Sequence, residues 1–545
     1  MATRLLASLT LFVLSAASFG FSSAELWQNW PEERFVPTSA PCLRHAELTE
    51  RLDDLVSRYP EEVTLEKVGE SVLGRSIQLM TLGRGPRKIF LWSQMHGDEP
   101  SATPALLDIA HYLLGHANEP GPKAIVDELT LLMIPMLNPD GTEVYRRRNA
   151  QGIDINRDAL NLTTPEGRIL KTVRDKHEPM LGFNLHDQDR RTAVGDTGFL
   201  ATNAVLAVAG DPEGTVTPGR MRAKRACSAI VETLAPFIPD GMARYDEDWS
   251  PRAFGDNITA WGTPVVLIES GGLPPGQDFS QLTRLNFVAI LTVLRDLAKD
   301  DLAGYDPEVY EQLLRNKSNS WSEVSIRNNH VLQPGSSVPY RADFAFLIFC
   351  DDRQHAGCAA DDSAGSMIFE IGDNRFFGSG REVEGRNSVL MAPFVVGVKG
   401  WVARKWLDEK VLADLAPLGV GTVRWSVSKK KASAANELAD EMNQKGRAEL
   451  VVIPPTASLP SVLLTGPPPA PPLDSLAAVL GTLGAEELQD LWPDAMSATR
   501  ELPAIRRGQP ASFLLVFPAP EGRIDLAHTA LNAVWLDGFE IHNTP

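Results

Sequence analysis

The feature that most constrains this chain is a set of short apolar runs in its first half: Ile89–Trp92, Leu129–Met136, Leu181–Leu185 and Pro264–Ile268. Each is of strand length and mostly apolar, with Thr130 and Asn184 as the polar exceptions, the pattern of a strand buried on both faces. Between them lie helical patterns. Pro104 stands near a helix start, and Leu106, Leu107, Ile109, Ala110, Leu113 and Leu114 recur at helical spacing after it. Upstream, Leu48, Leu52, Leu55 and Val56 suit an amphipathic helix over His45–Tyr59, and Val63–Val68 and Ile77–Leu82 read as strands separated by a turn at Gly74. Strands alternating with helices predict an α/β fold whose mostly parallel central sheet is covered by helices on both faces.

Three of the runs end in polar side chains. The segment KIFLWSQMHGDE (88–99) carries His96 just beyond its strand and Glu99 three residues later; Leu181–Leu185 runs into His186, and Pro264–Ile268 into Glu269. The carboxyl ends of parallel strands are where open α/β sheets bind ligands. Taken singly, each group has a plain structural explanation, a solvated loop histidine or a satisfied core histidine. Together, two imidazoles and one carboxylate offer three ligands to a borderline-soft cation such as zinc, with a fourth position open. Glu269 at a neighbouring strand end is then a candidate general base. Asn138-Pro-Asp-Gly141 is rich in turn formers and predicts a chain reversal. The stretch YRRRNAQGIDINRD that follows reads either as a solvated basic face or, through Asn156 and Arg157, as a grip on a carboxylate.

At 545 residues the chain exceeds one ordinary core. Its net charge of −18 offers no basic face for nucleic acid. Arg4 precedes the apolar run LLASLTLFVLSAASFGF, and Ser22-Ser23-Ala24 provides small residues at a cleavage point, so residues 1–24 read as a secretory signal peptide with no stable membrane anchor after cleavage. An uncleaved anchor is the alternative. Of the four cysteines, Cys350 and Cys358 flank a short polar segment that a disulfide can close, with two buried thiols equally compatible; Cys42 and Cys227 are a further possible pair.

In this order, HGDE, NPDG, RRRN, GIDINR, NLHDQ and LIES resemble the zinc metallocarboxypeptidases of the carboxypeptidase A type over residues 40–300. The resemblance implies a single Zn2+ held by His96, Glu99 and His186. Glu269 would be the general base and acid acting on a zinc-activated water, and Arg147 would polarise the scissile carbonyl. Asn156 and Arg157 would hold the free C-terminal carboxylate of a peptide. In the segment ARYDEDWSPRAFGDN, Tyr245 is the candidate for the tyrosine that closes over substrate in the family, and Arg252 is an alternative pocket residue. The Asp187-Gln188 pair after His186 departs from the digestive enzymes and looks like a bacterial branch, so no side-chain preference carries over.

The expected organisation is a signal peptide (1–24), a catalytic domain (25–305), a linker (306–337) and a β-rich accessory domain (338–545) with a Pro-rich segment at 454–472. Phe344–Phe349, Met367–Ile371, Ser512–Phe517 and Ala533–Ile541 read as strands, and ANELADEMNQKG as a helix. MIFEIGDNRFFGSG and the final strands faintly resemble the β-sandwich flanking amidohydrolase barrels, although APFVVGVKGW stands where a His-x-His metal motif would follow. The sequence thus predicts a secreted or periplasmic zinc carboxypeptidase. An amidase or deacylase of the same fold acting on cell-wall peptides or acyl amino acids is one alternative, and a non-catalytic binding protein is the other. It leaves the oligomeric state open.

Overall fold

The computed structural model describes residues 21–37, 42–246, 249–274, 277–332, 340–349, 365–384 and 389–391, with five short strands between 421 and 540. The chain divides into two compact units that change over between Ser320 and Trp321.

The strands of the first unit up to residue 270 are β1 (Val63–Glu70), β2 (Ser76–Leu82), β3 (Arg87–Trp92), β4 (Leu129–Ile134), β5 (Leu181–Asp187), β6 (Ala193–Val194), β7 (Asn203–Ala207), β8 (Met242–Arg244) and β9 (Val265–Ser270). Eight of them form one sheet in the order β1-β2-β4-β3-β5-β9-β7-β8. The middle of the sheet, β4-β3-β5-β9, is parallel, and antiparallel pairings join β1, β2 and β7 to it. The helices are α1 (Ser23–Glu33), α2 (His45–Arg58), α3 (Ala102–Gly115), α4 (Pro120–Glu128), α5 (Pro139–Glu143), α6 (Pro165–His177), α7 (Pro218–Leu234), α8 (Phe254–Ala260), α9 (Ser280–Asp300) and α10 (Pro307–Glu311).

The period-two alternation of side chains splits the buried runs between two cores. Ile89 and Leu91 pack with Leu106, Ile109, Ile230 and Leu291 from α3, α7 and α9. Phe90 and Trp92 face the other way and pack with Leu170 of α6 and with Phe254 and Ile258 of α8. Strands buried on both faces are what the continuous apolar runs predicted. Each such side chain taken from water contributes about 1.5–3 kcal/mol before conformational entropy is counted.

Three sequence expectations need correction here. The Asn138–Gly141 turn is the opening of α5: Asn138 is its N-cap, its side-chain oxygen accepting from Gly141 N at 2.9 Å, with Pro139 at the first helical position. Residues 306–337, expected as a linker, contain α10, β10 (Asn316–Lys317), which pairs with β6, and β11 (Trp321–Leu332). Tyr310 of α10 is buried, its hydroxyl accepting from Ala207 N. The polarity of that segment includes buried, hydrogen-bonded side chains, Ser322, Ser325 and Arg327 among them. Cys42 is disulfide-bonded and Cys227 is a buried thiol, so those two do not pair. Cys350 and Cys358 lie outside the described residues.

In the second unit β11 is flanked by β12 (Tyr340–Phe349), then β13 (Gly365–Gly372), with β14 (Gly378–Glu384) also paired to β11 and β15 (Val389–Met391) joining it to β19 (Leu514–Val516). The remaining strands pair two by two, β16 (Gly421–Arg424) with β18 (Glu449–Val452) and β17 (Ser426–Val427) with β20 (Phe539–Glu540). Phe344–Phe349 and Met367–Ile371 fall on β12 and β13, while of Ser512–Phe517 and Ala533–Ile541 only Leu514–Val516 and Phe539–Glu540 are described, both as strand. The helix over ANELADEMNQKG, the Pro-rich segment and the expected signal peptide up to residue 20 lie outside the described residues. Among the described residues no helix is long and apolar enough to cross a membrane.

Alongside Arg284 and Arg295, which donate to Trp27 O and Phe21 O, a buried carboxylate fastens the N-terminal segment to the rest of the first unit. Asp108 of α3 accepts from Trp30 Nε1 at 3.0 Å, Phe35 N at 2.8 Å and Val36 N at 3.0 Å. Asp108→Ala strands three buried donors and should cost about 2–4 kcal/mol. Chemical denaturation should show that loss together with faster proteolysis near residues 34–37, and an unchanged midpoint would show that Asp108 holds nothing.

Candidate metal centre

The site is assembled at the carboxyl ends of β3, β5 and β9. Parallel register sets Trp92 beside Asn184, and His186 directly opposite Glu269. Val265 and Leu267 of β9 point into the α6–α8 core, and Glu269 continues that face one step beyond it. The loop after β3 is held by backbone bonds from Ser93 N to Ile134 O, Leu137 N to Ser93 O and Asn138 N to Gln94 O. Gly97 crosses the backbone of α5 so closely that a Cβ there would lie 2.1 Å from the Gly141 carbonyl carbon. Only glycine fits that crossing, which brings His96 and Glu99 to the sheet edge.

His96, Glu99 and His186 are the group among the described residues that can hold a metal ion, their donor atoms lying within 4.8 Å of one another. All three are buried, at 1%, 7% and 3% exposure. Glu99 bridges the two rings, Oε1 at 2.7 Å from His96 Nδ1 and Oε2 at 2.6 Å from His186 Nδ1. The two Nδ1 atoms stand 3.1 Å apart. Burial works against ionising Glu99, yet the two imidazoles outweigh it and hold the carboxyl well below its usual range. Two ring nitrogens and a carboxylate converging on one point are the donor set of a three-ligand zinc site, so these residues fit the ion.

Around them lies a second layer that the sequence reading missed. Asp154 takes His96 Nε2 at 3.1 Å and Arg147 Nε at 3.0 Å. Burial would raise its carboxyl, but the hydrogen bond and charge of His96, with Arg147, carry it well below the usual range. It sits within the GIDINR motif, two residues before Asn156, and an acidic residue at a ligand's far nitrogen was the available signal. His186 Nε2 is buried with no hydrogen-bond partner among the described residues, so only one of the two rings is clamped in this way. Asp187 accepts from the backbone and hydroxyl of Ser101 at the start of α3, and its carboxyl is pushed up to about 7, first by burial.

The remaining predicted residues surround this group. Arg147 is half-buried and reaches Glu99 Oε1 through Nη1 at 3.1 Å. Glu269 is buried and its carboxyl is raised well above the usual range by burial and then by the charges of Glu99 and Asp187. Tyr245, partly buried, has its phenol pushed up, first by the charge of Glu269 and then by burial, while Arg147 and Arg157 oppose the shift. Its hydroxyl is therefore within electrostatic reach of both the metal group and the arginines. Asn156 accepts from Phe254 N through its side-chain oxygen at 2.8 Å, and Arg252 Nε donates to Arg157 O at 3.4 Å. Those bonds bring Asn156, Arg157 and Arg252 together from two separate segments.

Residues 48–175 match a family model described as zinc carboxypeptidase. Carboxypeptidase SOL1 of Arabidopsis thaliana is 30% identical over 147 residues, 24% of this chain and 30% of that protein. Carboxypeptidase D of Rattus norvegicus is 30% identical over 160 residues, 26% of this chain and 12% of that protein. The chain therefore spans less than a third of either relative. A metallo-carboxypeptidase structure from Burkholderia cenocepacia aligns over 46% of this chain and 68% of its own, with 18% identity and a TM-score of 0.39. Residues 48–175 are thus similar to the zinc carboxypeptidase family. The matched residues include His96, Glu99, Arg147, Asn156 and Arg157; His186, Tyr245, Arg252 and Glu269 lie beyond them.

Removing the carboxylate behind a ligating imidazole typically weakens metal binding about 10–100-fold. Asp154→Ala should do so in a competitive zinc titration, with the fold retained by circular dichroism. Undiminished affinity would mean that Asp154 does not orient His96.

Proposed function

We propose that this protein is an extracytoplasmic zinc carboxypeptidase that hydrolyses the last peptide bond of peptides, with His96, Glu99 and His186 as the zinc ligands. The observation that supports this most is the placement of buried Glu269 opposite His186 at the edge of a site that also gathers Arg147, Asn156 and Arg157. The signal-like N-terminus supports the location outside the cytoplasm.

Zinc supplies a Lewis acid and lowers the pKa of water in the site towards neutrality. The protein's own groups do the rest. Glu269 takes a proton from the attacking water and later passes it to the leaving amine nitrogen. Its burial beside other carboxylates gives it a proton affinity above that of an ordinary glutamate, which suits both halves of this exchange. Arg147, anchored on Asp154 at Nε, presents positive charge on the solvent side of the ligand set, where the carbonyl oxygen becomes negative. Asn156 and Arg157 hold the terminal carboxylate, fixing which bond lies at the metal group. Tyr245 closes over the substrate, and Arg252 lines the pocket.

A peptide mixture incubated with the zinc-loaded protein should lose C-terminal residues, and a chelator should stop it. Cleavage confined to acylated amino acids or wall-derived peptides would replace this reading with an amidase or deacylase. Glu269→Gln should retain zinc by elemental analysis while turnover falls by about a hundredfold or more; near-normal activity would remove Glu269 from the mechanism. Arg147→Ala should lower kcat by about 10²–10³, the usual cost of losing one oxyanion donor, and a change confined to KM would reassign it to substrate binding.

A further inference from the structure

Besides Arg147, two guanidinium groups, those of Arg157 and Arg252, lie beside this site where one is enough for a terminal carboxylate. Asn156 commits its side-chain oxygen to Phe254 N, which leaves its amide hydrogens as donors. Together with the fork of Arg157 these satisfy one carboxylate. Arg252 is then a surplus cation. Ala159 N donates to Arg252 O at 3.2 Å and Arg252 Nε to Arg157 O at 3.4 Å, so the stems of the two arginines are fixed beside each other.

Neither is neutralised by a carboxylate among the described residues. Three described acids close to them in sequence are engaged elsewhere. Asp154 binds His96 and Arg147. Asp158 accepts from Thr163 N, Thr164 N and the Thr164 hydroxyl. Asp256 accepts from Ser250 N. In a chain of net charge −18, an exposed pair of arginines with no carboxylate partner among the described residues is a local field that favours an anion with more than one negative charge.

We propose that Arg252 selects substrates whose C-terminal residue has a carboxylate side chain, with Arg157 and Asn156 holding the α-carboxylate. This rests on the reading of the site as a carboxypeptidase, and it assigns the specificity that the sequence motifs left open. The preferred substrate is an acidic-tailed peptide ending in glutamate or aspartate.

The test uses the full-length, zinc-loaded Glu269→Gln variant and calorimetry with two peptides, N-acetyl-Ala-Glu and N-acetyl-Ala-Gln, which differ only in charge at the side chain. The glutamate peptide should bind about tenfold or more tightly, as expected for a charge-assisted hydrogen bond. Adding Arg252→Gln should bring the ratio close to one, whereas adding Arg157→Gln should weaken both peptides and keep the ratio. Equal binding of the two peptides, or a preference that survives Arg252→Gln, overturns the proposal. Turnover by the unmutated protein is scored separately. A binding preference without turnover of either peptide upholds the selectivity and contradicts the peptidase reading instead.

Discussion

The chemistry of this protein depends on the register of three parallel strands. Because β3, β5 and β9 are neighbours in the sheet and far apart in sequence, hydrogen bonding between them places His186 against Glu269 and delivers the HGDE loop to the same edge. A slip of one residue in β5 would turn His186 into the core occupied by Leu185 and Leu181. The register is protected because both faces of each strand are buried, so a slip would also expose the apolar set on which the unit's stability rests.

The same arrangement concentrates charge where water is scarce. Glu99, Asp154, Asp187 and Glu269 surround two imidazoles, and Arg147 is bonded into the group. Burying carboxylates costs several kcal/mol each unless they are compensated. Here the compensation is uneven: Glu99 and Asp154 are held low by cationic neighbours, whereas Glu269 and Asp187 are raised by their surroundings. Pairs of carboxyl groups pushed apart in this manner divide naturally into ligands and proton carriers. A cation at the ligand group would add positive charge where the field calls for it, and by linkage its binding would stabilise the folded state.

Much of this was legible in the sequence. The apolar runs at Ile89–Trp92, Leu181–Leu185 and Pro264–Ile268 appeared as buried strands, the repeat of Leu106 to Leu114 appeared as α3, and the polar residues ending those runs met at one place. What escaped was whatever depends on distant contacts. Asp108 is an ordinary acidic residue in a helix until residues more than seventy positions away fold onto it. Asp154 looked like part of a polar loop because its partner His96 lies 58 positions earlier. The insertion of β4 between β2 and β3, and of β9 between β5 and β7, leaves no local trace. The expected linker misled for a different reason: α10 and β11 are rich in polar residues, of which Ser322, Ser325 and Arg327 are buried, and composition alone cannot tell that from a tether.

The central claim is that one zinc ion is held by two imidazole nitrogens and a carboxylate, and zinc X-ray absorption on the metal-loaded full chain tests it most directly. The expected spectrum has only nitrogen and oxygen neighbours at about 2.0–2.2 Å, with the multiple scattering of two imidazoles. A sulfur shell at about 2.3 Å, or imidazole scattering that persists unchanged when His96 and His186 are both replaced by alanine, would contradict the account.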